Sequence, residues 1–196
     1  MRGTIDFYFD FMSPFAYLAR GRLVEIATKH DYAITYRPIE LKRAKLAAGN
    51  DGPSNQQIPS KLKYMIVDLH RWAEHYGIPF NPITGQDSAR MNIGTYFAID
   101  RDQADTYVAE GFRLGYVEGS DLNADGVLEA LADAMKWNRD EFMSYLVSEE
   151  GAARYERENV EAHARGVFGV PTMTIGDEMW WGNDRLDFMD RYLAGR

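Results

Sequence analysis

The chain has 196 residues, a formal net charge of −8, 45% hydrophobic and 13% aromatic residues, and no cysteine. That much apolar material builds a packed core, which excludes a disordered chain. The acid excess argues against broad nucleic-acid or anionic-membrane binding, which needs a basic face. Without cysteine there are no disulfides, no thiolate metal sites and no thiol to cycle in redox chemistry. No apolar run approaches the roughly 20 residues that span a bilayer. The opening Met1-Arg-Gly-Thr-Ile-Asp6 runs straight toward a strand and lacks a leader's apolar stretch, so the expected location is cytoplasmic.

In chain order, Ile5, Phe7 and Phe9 alternate with Asp6, Tyr8 and Asp10, the two-residue period of a strand. After Ser13-Pro14 the apolar Phe15, Leu18, Leu23 and Ile26 fall at helical spacing. Serine as cap with proline in the first turn is a strong start signal. A second extended segment covers 33–38, so strand, helix and strand read as a parallel βαβ unit. From about 41 to 165 the pattern is helix after helix. Leu62, Met65, Leu69, Trp72 and Tyr76 form one stripe, and further helices are expected near 88–100, 102–117, 125–136, 138–148 and 150–164. Asn138 with Glu141 resembles a capping box. Thr172–Ile175 and Glu178–Trp181 then flank a Gly176-Asp177 turn, a hairpin signal. A last helix is expected from about Asp184, with Leu186, Met189 and Leu193 as its stripe.

The sum is βαβ, a helical block, then ββα. That order predicts an α/β fold, a thioredoxin-like domain interrupted by an all-helical insertion. The expected division is 1–40 with 165–196 for the thioredoxin-like part and 41–164 for the insertion. Thioredoxin-like enzymes place a cysteine thiolate at the first helix start, where this chain has Ser13.

Three segments carry chemistry, each with a plain structural alternative. Ser13 is a helix cap, or it holds a reactive anion at a helix end whose free N–H groups favour negative charge. Pro171, in Phe168-Gly-Val170-Pro171-Thr172, marks an edge strand, or a cis bond that frees the Val170 main chain to pair with a peptide. Asn183 or Asp184 in Trp180-Trp181-Gly182-Asn183-Asp184 caps the last helix, or the segment binds a ligand bearing a carboxylate and an amine. Of the two tryptophans, one is expected in the core and one beside a pocket.

Segment 42–63 holds Lys42, Arg43, Lys45, Lys61 and Lys63 against the single acid Asp51. It is a solvated face, or it suits a small organic anion. His70 and His75 lie five apart and turn to different helix faces, so no metal site is expected. A Gly-x-Ser-x-Gly elbow and a glycine-rich phosphate loop are both missing, so neither a hydrolase of that type nor nucleotide chemistry is expected.

With Asp10-Phe-Met-Ser13-Pro14, Gly52-Pro-Ser-Asn55, Arg90-Met-Asn-Ile-Gly94, Phe168-Gly-Val-Pro171-Thr-Met and Gly176-Asp-Glu-Met-Trp-Trp-Gly-Asn-Asp184-Arg-Leu together, the chain resembles the 2-hydroxychromene-2-carboxylate isomerases. These are glutathione-dependent and related to kappa-class glutathione transferases and to thioredoxin-like disulfide oxidoreductases. The resemblance covers essentially the whole chain. It implies glutathione as a cofactor that is regenerated, a small aromatic carboxylate as substrate, a role in naphthalene-type catabolism, and a homodimer. By position it implies that Ser13 holds the glutathione sulfur. Val170, beside Pro171, would pair with the tripeptide backbone, and Trp181, Gly182, Asn183 and Asp184 would grip its γ-glutamyl end. Lys45, Asn55 and Gln56 would face the substrate. Gln56 stands where the family tends to carry arginine, which removes a bidentate carboxylate contact. A kappa-type transferase and a redox-inactive thioredoxin-like binding module are the competing expectations.

Overall fold

The structure, a computed structural model, describes residues 2–85 and 87–195. Strand β1 (Gly3–Phe9) leads into helix α1 (Pro14–His30), and β2 (Tyr32–Pro38) returns parallel to β1, with Gly3 opposite Tyr32 and Phe9 opposite Pro38. Helices α2 (Leu41–Ala47), α3 (Pro59–Tyr76), α4 (Ala89–Ile99), α5 (Ala104–Tyr116), α6 (Asp125–Ala134), α7 (Arg139–Leu146) and α8 (Glu149–Ala164) follow. Then come β3 (Thr172–Ile175), β4 (Glu178–Trp181) and α9 (Leu186–Ala194). The sheet order is β2-β1-β3-β4, with β3 antiparallel to both its neighbours. This is the expected thioredoxin-like order with helices inserted between β2 and β3.

Helix boundaries match the expected ones within a few residues because caps set them locally. The Asn138 side chain accepts from the Glu141 N–H, and Ser148 does the same for Gly151. The two-residue hairpin forms between Ile175 and Glu178, with Gly176 at φ 59°. The last helix departs from expectation: a 3-10 turn over Asn183–Arg185 comes first, and α9 begins at Leu186. No helix among the described residues is long and apolar enough to cross a membrane.

β1 lies inside the sheet, and its last three residues, Phe7 to Phe9, are covered on both faces. Ile5, Phe7 and Phe9 join the main core with Leu23 and Ile26 of α1, Phe112 of α5, and Met189 and Leu193 of α9. Tyr8 points the other way and is equally buried, against Ile39, Ala44, Ala162, Val167 and Val170. That second face is solvated only at the start of β1, where Thr4 is exposed and Asp6 partly so. The aromatic chain Phe9–Phe11–Phe112, with ring centroids 5.2 and 4.9 Å apart, continues the core from the sheet into the inserted helices.

Candidate active site

The carboxyl ends of β1, β2 and β4 and the amino end of β3 share one edge of the sheet. Phe9 faces Pro38, Tyr8 faces Thr172, and Thr172 faces Trp181. Ser13, the start of α2, Val170-Pro171 and the 181–184 segment all leave the sheet at that edge. The topology thus gathers residues that lie up to 171 positions apart.

Ser13 is buried and caps α1, its Oγ accepting from the Ala16 N–H at 3.3 Å, with Pro14 in the first turn. As cap it uses only an oxygen lone pair; among the described residues nothing accepts its proton. Pro14 has no N–H to give, and the Phe15 N–H makes no hydrogen bond among the described residues. No acid sits in the first turn of α1 to occupy its positive end. The cap and the anion-holding role are compatible on one hydroxyl.

The Val170–Pro171 peptide is cis. Val170 lies outside the strand pairing, and its N–H and C=O have no partner among the described residues. The Pro171 carbonyl accepts from Gly182 N–H at 2.9 Å, and Thr172 Oγ1 donates to the Gly169 carbonyl at 2.7 Å. The strand start and the turn after β4 are therefore fastened together.

Of the two tryptophans, Trp180 packs on Tyr192 with centroids 5.0 Å apart, whereas Trp181 is 53% exposed and meets Phe168 edge-on at 4.8 Å. Gly182 has φ 105°, and a Cβ there would stand 2.5 Å from Asp184 Oδ1. Neither Asn183 nor Asp184 makes a side-chain cap bond, which removes the capping account of this segment. Asn183 is buried, its Nδ2 finds no acceptor among the described residues, and its carbonyl takes the Tyr76 hydroxyl at 3.5 Å. Burial raises the Tyr76 pKa, so that hydroxyl stays a donor at neutral pH. A cleft of ≈ 360 Å³ opens beside Asn183 and Asp184, walled by Trp72, His75 and Tyr76 of α3 and Arg22 of α1.

The basic segment is only partly assembled into this site. Arg43 is neutralised by Glu156 of α8. Lys45, on α2 and half-buried, has no ion pair among the described residues. Asn55 and Gln56 are exposed in a 3-10 turn held by its own capping box, in which the Ser54 N–H donates to Gln57 Oε1 at 2.8 Å. Among the described residues no hydrogen bond or ion pair links that turn to Ser13. His70 packs against Phe80 and His75 against Trp72. Residue pattern alone makes Tyr76 only a member of the α3 stripe and marks no functional role for Asp10, Ser88 and Asn92, which bond to one another at the start of the Ser13 turn. A clue lies in the sequence: Asp10 breaks an aromatic run, and Asn92 interrupts an apolar stretch.

The DSBA-like thioredoxin domain matches residues 4–194. A Pseudomonas putida 2-hydroxychromene-2-carboxylate isomerase is 45% identical over 192 residues, covering 98% of this chain and 94% of that protein. A Caenorhabditis elegans kappa 2 glutathione S-transferase is 29% identical over 216 residues, covering 98% of this chain and 92% of the other. Among solved structures, a 2-hydroxychromene-2-carboxylate isomerase superposes with a TM-score of 0.93 at 43% identity, covering 97% of this chain and 94% of that one. Near-full coverage at this identity, on a DSBA-like fold, places the chain in the family of 2-hydroxychromene-2-carboxylate isomerases, and it is an isomerase.

Proposed function

We propose that the chain is a glutathione-dependent isomerase that interconverts 2-hydroxychromene-2-carboxylate and trans-o-hydroxybenzylidenepyruvate. The observation that carries this reading is the convergence, at one sheet edge, of unsatisfied groups that match a tripeptide thiol. The Ser13 proton and the Phe15 N–H face a helix start suited to a sulfur anion. The unpaired Val170 main chain suits a peptide backbone, as an added strand would. The orphan Asn183 Nδ2 suits the carboxylate of a γ-glutamyl group, and the Asp184 carboxylate, paired here with Arg185, would exchange that partner for the ammonium. A buried amide without an acceptor costs on the order of 1–3 kcal/mol, so it favours whatever ligand supplies one.

When bound, glutathione supplies a thiol with a reference pKa of about 8.5, whose reversible addition to a conjugated carbon makes a fixed double bond rotatable. Ser13 acts as a hydrogen-bond donor to the sulfur anion and keeps its proton; among the described residues no base bonds its hydroxyl to make it a nucleophile. Lys45 stabilises the charge that develops on the substrate and pairs with its carboxylate. Asn55 and Gln56 complete the substrate side from the loop. The reading places the reaction in naphthalene-type catabolism, in a cytoplasmic homodimer.

An absorbance assay with the chromene acid, run with and without glutathione, tests the reading; turnover independent of glutathione would sink it. Kinship with the kappa transferase favours a second outcome, thioether formation. Unchanged total glutathione after many turnovers distinguishes the isomerase from it.

A further inference from the structure

Asp10 is 4% exposed, and no cation pairs with it among the described residues. A buried carboxylate is costly unless its lone pairs are all met. Here four neutral donors meet it. Oδ1 accepts from the Met12 N–H at 3.0 Å, Ser88 Oγ at 2.6 Å and Asn92 Nδ2 at 3.1 Å. Oδ2 accepts from the Leu41 N–H at 2.9 Å. The donors belong to three separate segments: the turn that carries Ser13, the first residue of α2, and α4 with its leading residue. The main chain joins in, since the Asp10 carbonyl takes the Ser13 N–H at 2.9 Å. Asn92 closes the arrangement, accepting from the Phe11 N–H at 3.3 Å and donating to the Tyr155 hydroxyl of α8 at 2.9 Å.

The bond to Leu41 has a particular consequence. Helix α2 spans seven residues, too few to be stable alone, and its Glu40 cap makes no side-chain bond. Its leading N–H groups are held from outside, Glu40 by Asn159 Oδ1 at 2.8 Å and Leu41 by Asp10. Asp10 is therefore a tertiary cap for α2, placing negative charge at the positive helix end. Lys45 follows Leu41 by one helical turn. One carboxylate thus ties the Ser13 turn to the helix that presents Lys45.

We propose that Asp10 is a positioning residue for the isomerase reaction, setting the separation between the Ser13 hydroxyl and Lys45. The inference rests on the roles given above to Ser13 and Lys45. Asp10→Asn turns an NH2 toward the donors on one side and removes the charge that strengthens the bonds on the other, so both attachments should loosen at once. Hydrogen exchange should then show residues 11–13 and 40–46 losing protection together while β1 and β3 keep theirs. Glutathione affinity by calorimetry should stay within about 3-fold, because the Val170 and Asn183 contacts are untouched, while kcat falls by about 10²-fold at little change in KM. In a Lys45→Ala background the same change should cost less than about 3-fold, since the geometry it protects no longer matters. Ser88→Ala keeps the carboxylate, removes one donor, and should repeat the pattern in weaker form even where Asp10→Asn folds poorly. Exchange changes confined to residues 11–13, or a kcat loss fully multiplicative with Lys45→Ala, overturn the proposal alone. A native enzyme that fails to bind glutathione overturns it together with the proposed function.

Discussion

The Gly182 N–H donates to the Pro171 carbonyl at 2.9 Å, so the turn after β4 is pinned to the residue just before β3. Gly182 holds φ 105°, and a Cβ there would meet Asp184 Oδ1 at 2.5 Å. Gly182→Ala should cost about 1–3 kcal/mol through backbone strain. Because Asp184 must move aside, glutathione affinity should fall by more than about 10-fold, equivalent to about 1.4 kcal/mol. Denaturant melts and calorimetry on the same variant separate the two effects.

Ser13→Ala removes a cap and, on the proposed reading, a donor to the sulfur. The cap alone is worth about 1 kcal/mol of stability. The donor is worth about 10²-fold in kcat, and its loss should raise the pKa of the bound thiol. Ultraviolet thiolate absorbance against pH reads that shift. A variant with full activity and an unmoved thiol pKa leaves Ser13 as a cap only.

The two adjacent tryptophans should behave differently. Trp180 packs on Tyr192, and Trp180→Ala should cost about 2–3 kcal/mol, below the value for a fully buried ring. Trp181 is 53% exposed, and Trp181→Ala should cost less than about 1 kcal/mol. Equilibrium unfolding of both variants checks the contrast. Equal losses would mean that the Phe168 contact holds Trp181 as firmly as the core holds Trp180.

Asp190 of α9 accepts from Lys29 Nζ at 2.9 Å and lies 2.6 Å from His30 Nε2, both in the last turn of α1. The Lys29 hydrogen bond, followed by that of His30, holds its carboxyl below the usual range, against the effect of burial. A depressed folded-state pKa stabilises above the unfolded value of about 3.9 and loses that contribution as pH falls through the folded value. Asp190→Asn should therefore lower stability by about 1–2 kcal/mol at neutral pH. The gap from the native chain should close as pH falls below about 4. Thermal melts across that range test the sign.

Much of the fold was legible because its signals are local. Ser13-Pro14, Asn138 and the Gly176 turn mark element boundaries through bonds that reach only two or three residues away. Periodicity found the α3 stripe in the same way, and Leu69 does join Leu18 and Ala73 in one buried cluster. Two local patterns left open what a non-local contact decides. Tyr8 alternates like a solvent-facing residue but is buried, because α2 and α8 cover the second face of β1 there. Arg43 reads as part of a free basic cluster, but Glu156 lies on it, 113 positions away.

Sequence alone determined the order of elements, the serine in place of a thiol at the first helix start, and the segments from which a site is built. These depend on capping, period and residue type, which act within a turn or two of chain. Tertiary structure decided which segments meet. The strand register brings Ser13, Val170 and Asn183 to one edge. The hydrogen bonds from Ser88 and Asn92 to Asp10 span 78 and 82 positions, and the one from Leu41 spans 31. Partners that distant leave no periodic trace, so the joint between Ser13 and Lys45 emerges only when the chain is folded.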